Sequence, residues 1–154
     1  MASPQDIEAV TELLGRAPRG GFDVVVRDGG GGPVVIRNAP LLDDGTPMPT
    51  RYYLVGREEV RAVGRLESTG AVRRAEEEVG LEAIAAAHDR YRVERDAAIA
   101  EDWSGPRPSG GVGGTRRGVK CLHAHYAHHL AGGDDPVGRW VERELTEAAE
   151  DDRR

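Results

Sequence analysis

The fold is decided by one stretch, Phe22-Asp23-Val24-Val25-Val26-Arg27-Asp28-Gly29-Gly30-Gly31-Gly32-Pro33-Val34-Val35-Ile36-Arg37, which predicts a β-hairpin. β-Branched residues fill both arms, and the glycines between them allow the positive φ angles of a tight turn. The glycines could also form a ligand-binding loop, but a flexible hairpin tip is the simpler interpretation. Tyr52–Val55 predicts a third strand beside the hairpin, because two strands alone are marginally stable in water.

Helical spacing of apolar residues predicts helices on both sides of these strands. Ser3 is a suitable N-cap with Pro4 at the first helical position, and Gly15 offers a stop. The predicted helices span residues 4–14, 57–68, 71–79, 81–101, 119–131 and 136–146.

One stripe of the helix 81–101 is expected to be buried. It consists of Ile84, His88, Tyr91, Arg95 and Ala98. His88 is interpreted as a half-buried histidine with a hydrogen-bond partner rather than as a ligand. Together the elements predict a single α+β domain over residues 4–146, with a small three-stranded, mainly antiparallel sheet and five to six helices packed on one side of it. Residues 147–154 form a charged tail that is expected to fray.

The composition limits the partners. A net charge of -6 argues against binding to nucleic acid or to anionic membranes, since both favour a basic surface. No apolar run approaches the roughly 18 residues that span a bilayer, and residues 1–6 lack the pattern of a signal peptide. The single cysteine, Cys121, excludes an internal disulfide and fits a reducing compartment. We expect a cytoplasmic protein.

The predicted helix 119–131 concentrates the reactive side chains. It holds the only cysteine, the only lysine and four of the five histidines. At about 100° per residue, Cys121, His125 and His128 share one polar face, with His129 at its edge. His123 falls at the margin of the opposite, apolar face and is expected to be partly buried.

Metal binding is the first hypothesis for this helix. Cys121, His125 and His128 follow one another at i, i+4 and i+7, so they could converge on one cation, and cysteine with histidine suits zinc. Structural zinc takes four ligands, so an acidic residue would have to complete the set. The acidic pair Asp43 and Asp44 is better explained as part of a solvated turn than as a second metal site.

Anion binding is the second hypothesis. The glycine-rich segment 103–118 leads into the helix N-terminus, where free N–H groups favour negative charge. The candidate ligand-binding residues there are Arg116, Arg117, Lys120, Cys121 and His123. The span 113–121 has the glycine spacing of a P-loop, but its lysine is displaced by one position and no strand leads into it. Nucleotide hydrolysis of that type is therefore not expected.

Nucleophilic catalysis is the third hypothesis. Lys120 and the helix N-terminus would lower the pKa of the Cys121 thiol, and His123 or His128 could act as the base. On a continuous helix Cys121 and His123 point in different directions, so they would not form a dyad. The remaining interpretation is a structural helix whose polar face contacts water or a partner protein.

Several segments carry a family resemblance. The motif Val119-Lys120-Cys121-Leu122-His123-Ala124 is followed by Ala127-His128 and by Asp135-Pro136-Val137-Gly138. Further segments are Leu14–Gly20, Asp44–Thr50 with Tyr52-Tyr53-Leu54, and Leu66-Glu67-Ser68. From about Ile7 to Gly138 the chain resembles the actinobacterial domain of unknown function family 501.

The resemblance implies a cytoplasmic protein with no established activity. It also implies that the gene is often found near genes for septum-formation initiators and exopolyphosphatases, which suggests a link to division or phosphate metabolism. Relatives carry further cysteines in the hairpin turn and after the third strand, where this chain has Asp28-Gly29-Gly30 and Gly56-Arg57. A Cys/His metal site of the relatives would therefore be largely lost here, with Lys120, Cys121, His123 and His128 remaining.

These observations favour a binding protein for a small phosphate- or carboxylate-bearing ligand at the N-terminus of the helix 119–131, without catalysis and without a cofactor. One alternative is a protein-interaction module linked to cell division. The other is a Cys/His enzyme or a vestigial metal site, with zinc as the metal.

Overall fold

The structure of the protein is a computed structural model that describes residues 1–154. The helices and strands follow one another as α1 (Pro4–Leu14), β1 (Phe22–Arg27), β2 (Pro33–Asn38), β3 (Tyr52–Leu54), α2 (Arg57–Glu67), α3 (Ala71–Val79), α4 (Leu81–Ala97), α5 (Leu122–Leu130) and α6 (Pro136–Asp152). A short 3₁₀ turn at Val112–Gly114 interrupts the long segment between α4 and α5. The α+β class and the three-stranded sheet are therefore confirmed.

The sheet is antiparallel throughout, in the order β1-β2-β3. Its hairpin turn is built by Asp28, whose carboxylate accepts hydrogen bonds from the amides of Gly30 at 2.9 Å and Gly32 at 2.8 Å. The glycine run is thus a hairpin tip, and a carboxylate fixes its shape.

The two faces of the sheet pack against different helices, which corrects the expectation that all helices lie on one side. Val35 and Leu54 point into the main core, which α2–α6 share. Ile36 points the other way, into a smaller core with Val10 of α1 and Phe22. Because successive strand residues alternate between faces, the apolar run of β2 is buried on both.

Helix α4 supplies the polar anchors of the glycine-rich segment. His88 accepts a hydrogen bond at Nδ1 from the Val112 amide at 3.0 Å, and its Nε2 lies 2.8 Å from the Gly118 carbonyl. Arg95, which is fully buried, donates to the Gly110 carbonyl at 3.0 Å. His88 has hydrogen-bond partners as expected, but it is buried rather than half-buried, and the segment it holds is fixed at both ends.

Three helix boundaries differ from the sequence prediction by more than a single residue. Helix α4 ends at Ala97, so Ile99 rather than Ala98 turns into the core. Helix α5 begins at Leu122 rather than at residue 119, because Cys121 is extended, with φ -146° and ψ 150°. Helix α6 continues to Asp152, through most of the tail that the sequence predicts to fray.

Candidate functional site

Two of the histidines on α5 share one buried carboxylate. Asp135, with no exposed surface, lies 2.8 Å from His125 Nδ1 and 3.0 Å from His128 Nδ1. Its other oxygen accepts the amides of Val137 and Gly138, both at 3.0 Å, and so caps α6. Burial alone would raise the pKa of Asp135, but the hydrogen bonds from His125 and His128 hold it well below its ordinary value.

This network corrects the expectation that the polar face of α5 that carries His125 and His128 contacts water. His125 and His128 are 1% and 3% exposed and face the core, because Asp135 satisfies their Nδ1–H groups there. His128 also stacks on Tyr52, with ring centroids 5.6 Å apart, and meets Tyr91 edge-on at 5.0 Å. The predicted metal set of Cys121, His125 and His128 is therefore not brought together.

Two carboxylates occupy the entrance of α5. The Val119 amide donates to Glu76 Oε2 at 3.0 Å, and the Leu122 amide donates to Glu67 Oε2 at 2.7 Å. These are N–H groups that an anionic ligand would use. Arg116, Arg117 and Lys120 are exposed nearby. Two of the N–H groups at this entrance are therefore already occupied by carboxylates of the protein itself.

Cys121, His123 and Glu67 form the one cluster of metal-ligating type. One donor atom of each lies within 4.8 Å of the others, and all three residues are partly buried. His123 Nδ1 lies 3.3 Å from Glu67 Oε1, while His123 Nε2 lies 3.2 Å from the Val60 carbonyl. The cluster joins the C-terminal end of α2 to the N-terminal end of α5. His123 is 28% exposed on its side chain, as the sequence predicts for a partly buried residue.

The thiol of Cys121 and a ring nitrogen of His123 lie within 4.8 Å of each other, which overturns the expectation that the two side chains diverge. Cys121 is the extended N-cap of α5 rather than a helical residue, so its thiol lies on the same side as the imidazole. Burial raises the pKa of this thiol, but the neighbouring His123 imidazole more than offsets that and leaves it below the ordinary value. The neighbouring thiol in turn raises the pKa of His123.

A family model described as Protein of unknown function (DUF501) matches residues 24–143. The chain belongs to the DUF501 family. The DUF501 match includes the cluster and Asp135 but begins after α1 and the segment 14–20. No curated protein and no solved structure matches the chain. None of its helices combines the length and the apolar character that a bilayer crossing needs.

Sequence reasoning missed the two carboxylates that organise this region of the DUF501 domain. Glu67 lies 54 positions before Cys121, and no local pattern joins them. Asp135 was recognisable as the N-cap of α6, but its second role, as acceptor for two histidines, depends on how α5 and α6 pack. Glu67 could have been identified as a candidate from its place at the end of α2, next to Ser68, in one of the segments that carry the family resemblance.

Proposed function

We propose that this protein binds one divalent d-block cation, zinc by preference, at Glu67, Cys121 and His123. A thiolate, an imidazole nitrogen and a carboxylate oxygen are the donor types zinc takes in proteins. Three protein ligands leave one coordination position for water or an exogenous ligand, which is the arrangement of an accessible site rather than of a closed structural one.

The observation that carries the proposal is the orientation of His123. Metal-bound histidines usually donate their other ring N–H to a carbonyl or carboxylate, which fixes the tautomer. Here the Val60 carbonyl occupies Nε2 and leaves Nδ1 facing Glu67 Oε1 at 3.3 Å. In a tetrahedral zinc site the nitrogen and oxygen ligands lie about 3.4 Å apart, given bond lengths of about 2.0–2.2 Å.

Glu67 is oriented in the same way. Its Oε2 accepts the Leu122 amide at 2.7 Å, and this leaves Oε1 directed towards His123. A ligating carboxylate whose second oxygen is held by the protein is the usual arrangement around a bound metal. The sulfur of Cys121 lies within 4.8 Å of both other donors, so a side-chain rotation brings it into range.

The geometry supports a metal better than a cysteine–histidine–glutamate catalytic relay. A relay uses opposite ring nitrogens, one toward the nucleophile and the other toward the orienting carboxylate. In this cluster the nitrogen opposite Glu67 is taken by the Val60 carbonyl. Anion binding by Arg116, Arg117 and Lys120 stays a prediction from the sequence, and so does a division-linked partner. The carboxylates of Glu67 and Glu76 weigh against the anion.

Metal titration tests the proposal directly. Reduced, chelator-treated protein is titrated with Zn²⁺ in competition with a chromogenic chelator, and separately with Co²⁺ while its absorption is recorded. We expect one ion per chain, a thiolate-to-cobalt charge-transfer band, and the visible bands of a four-coordinate site. Cys121→Ser, His123→Gln and Glu67→Gln should each lose about 100-fold or more in affinity, beyond the 10–100-fold typical of losing an outer partner.

His129→Gln is the matched control, because His129 lies on the same helix but pairs with Glu142 at 2.7 Å. It should bind both metals like the parent. Failure of the parent to bind one equivalent of Zn²⁺, or equal binding by Cys121→Ser, would refute the proposal. A separate measurement with inorganic phosphate tests the anion prediction. Thermal stabilisation by phosphate that disappears in Lys120→Ala would support anion binding instead of the metal proposal.

A further inference from the structure

A second candidate site lies on the opposite face of the sheet from the proposed metal cluster. Helix α1 covers only part of this face, and beyond its C-terminal end a cavity of about 350 Å³ opens. Ile36 and Tyr53 contribute to it from the sheet, and Leu14, Leu42 and Met48 line it from the segments on either side. Its volume is within the range of small-molecule pockets, about 300–1,000 Å³.

The cavity combines an apolar lining with positive charge. Arg16 and Arg19 line it, and no aspartate or glutamate does, although the whole chain carries 27 acidic residues against 21 basic ones. Arg16 is exposed and takes part in no ion pair of the protein. Arg19 is paired only loosely, its NH2 group lying 3.8 Å from Asp44 at the surface.

Loop geometry gives the cavity a defined shape. The Asp43 amide donates to the Arg19 carbonyl at 3.1 Å, which ties the segment carrying both arginines to the loop after β2. Within that loop the Leu42 amide donates to the Thr46 carbonyl at 2.8 Å, and the Met48 amide donates to the Pro40 carbonyl at 2.8 Å. The walls are therefore held by backbone hydrogen bonds and do not depend on a ligand for their form.

From this juxtaposition of an apolar cavity, two arginines and no acid, we infer a binding site for a small amphipathic anion, an aliphatic or aromatic body bearing one carboxylate-type head group. The body would fill the space between Ile36, Leu42 and Met48. The head group would lie at the rim, where the planar guanidinium groups match a carboxylate in two-pronged hydrogen bonding. This site is independent of the metal proposal, since it shares no residue with Glu67, Cys121 or His123.

Octanoate and its neutral counterpart octan-1-ol test the inference on the full chain. Amide chemical shifts in ¹H–¹⁵N spectra are followed during titration with each. We expect saturable shifts for octanoate at Leu14, Ile36 and Met48, and affinity for octan-1-ol about ten-fold weaker or less, because only the carboxylate gains charge-assisted hydrogen bonds.

Three variants locate the site. Arg16→Gln with Arg19→Gln should abolish the preference for octanoate, while the control pair Arg73→Gln with Arg143→Gln, which changes net charge equally at exposed helix positions, should keep it. Ala17→Trp should fill the cavity and block both probes. Equal affinities for octanoate and octan-1-ol, shifts centred elsewhere, or octanoate binding unchanged in Arg16→Gln with Arg19→Gln would each overturn the inference.

Discussion

Replacement of Asp135 by asparagine should destabilise the fold strongly, although it changes a single atom. The carboxylate accepts from two imidazoles and two backbone amides and has no exposed surface. Asparagine keeps one oxygen, which can still accept the amides of Val137 and Gly138 and cap α6. Its NH₂ group then faces the Nδ1–H groups of His125 and His128, of which only that of His125 also lies near the retained oxygen, at 3.0 Å. A donor replaces the acceptor at the centre of the network.

The magnitude follows from the bonds that are lost. His125 can keep the retained oxygen as its acceptor, since its Nδ1 lies 3.0 Å from that atom, but His128 loses its acceptor inside the core. The loss of one hydrogen bond to a charged partner gives an expected cost of about 1.5–3 kcal/mol. Asp135→Ala removes the cap as well, which adds about 1 kcal/mol. Since domains of this kind are stable by about 5–15 kcal/mol, both effects should be large.

Urea unfolding followed by circular dichroism measures the free energy of unfolding directly. The neighbouring residue supplies the control, because Asp134 is exposed and pairs at the surface with Arg139 at 2.7 Å. Asp134→Asn should cost no more than about 1 kcal/mol, as exposed ion pairs do. The reasoning is refuted if Asp135→Asn and Asp134→Asn lose the same free energy, or if Asp135→Ala unfolds no more easily than Asp135→Asn.

Further outcomes follow from the same structure. Because the pKa of Asp135 is depressed in the fold, its ionised form contributes to the free energy of unfolding above the ordinary aspartate pKa of about 3.9, and this contribution is lost as the pH falls below that value. When unfolding is measured at decreasing pH, the free energy of unfolding should therefore fall more steeply in the parent than in Asp135→Asn. Gly138→Ala should lower the melting temperature, since a Cβ there would lie 2.5 Å from the backbone of α5. Gly64→Ala, whose Cβ meets nothing within 4 Å, should instead increase the free energy of unfolding by about 0.4–1 kcal/mol. The depressed pKa of the Cys121 thiol predicts alkylation by iodoacetamide at pH 7 faster than that of free cysteine; His123→Ala should slow the reaction, and one equivalent of Zn²⁺ should protect the thiol.

Local sequence patterns were sufficient for most of the secondary structure. Ser3 and Gly15 bound α1 as predicted, because capping depends on residues three or four positions away. The hairpin depends on β-branched arms and on a turn that Asp28 closes within its own segment. Each of these features is determined by neighbours in the chain, so periodicity and turn chemistry suffice to find them.

Long-range partners decide the parts that the sequence could not give. The first turn predicted for α5 does not form: Cys121 is extended, and Glu76 and Glu67, on two earlier helices, accept the amides of Val119 and Leu122. With that turn absent, Cys121 becomes an N-cap and its thiol lies within 4.8 Å of a His123 ring nitrogen. A helical wheel drawn from residue 119 therefore places Cys121 on the wrong face, and every site hypothesis based on that wheel inherits the error.

Carboxylates outside α5 determine the position and the contacts of its four histidines. Asp135 draws His125 and His128 into the core, and Glu142 holds His129 at the surface with a 2.7 Å contact. Only His123 is left beside the thiol, with Glu67 3.3 Å from its Nδ1. The four histidines of α5 therefore belong to three separate sites, because each imidazole contacts the acidic residue that the fold places beside it. For this reason the metal proposal rests on the one histidine that adjoins both a carboxylate and a thiol, and not on the number of histidines in the helix.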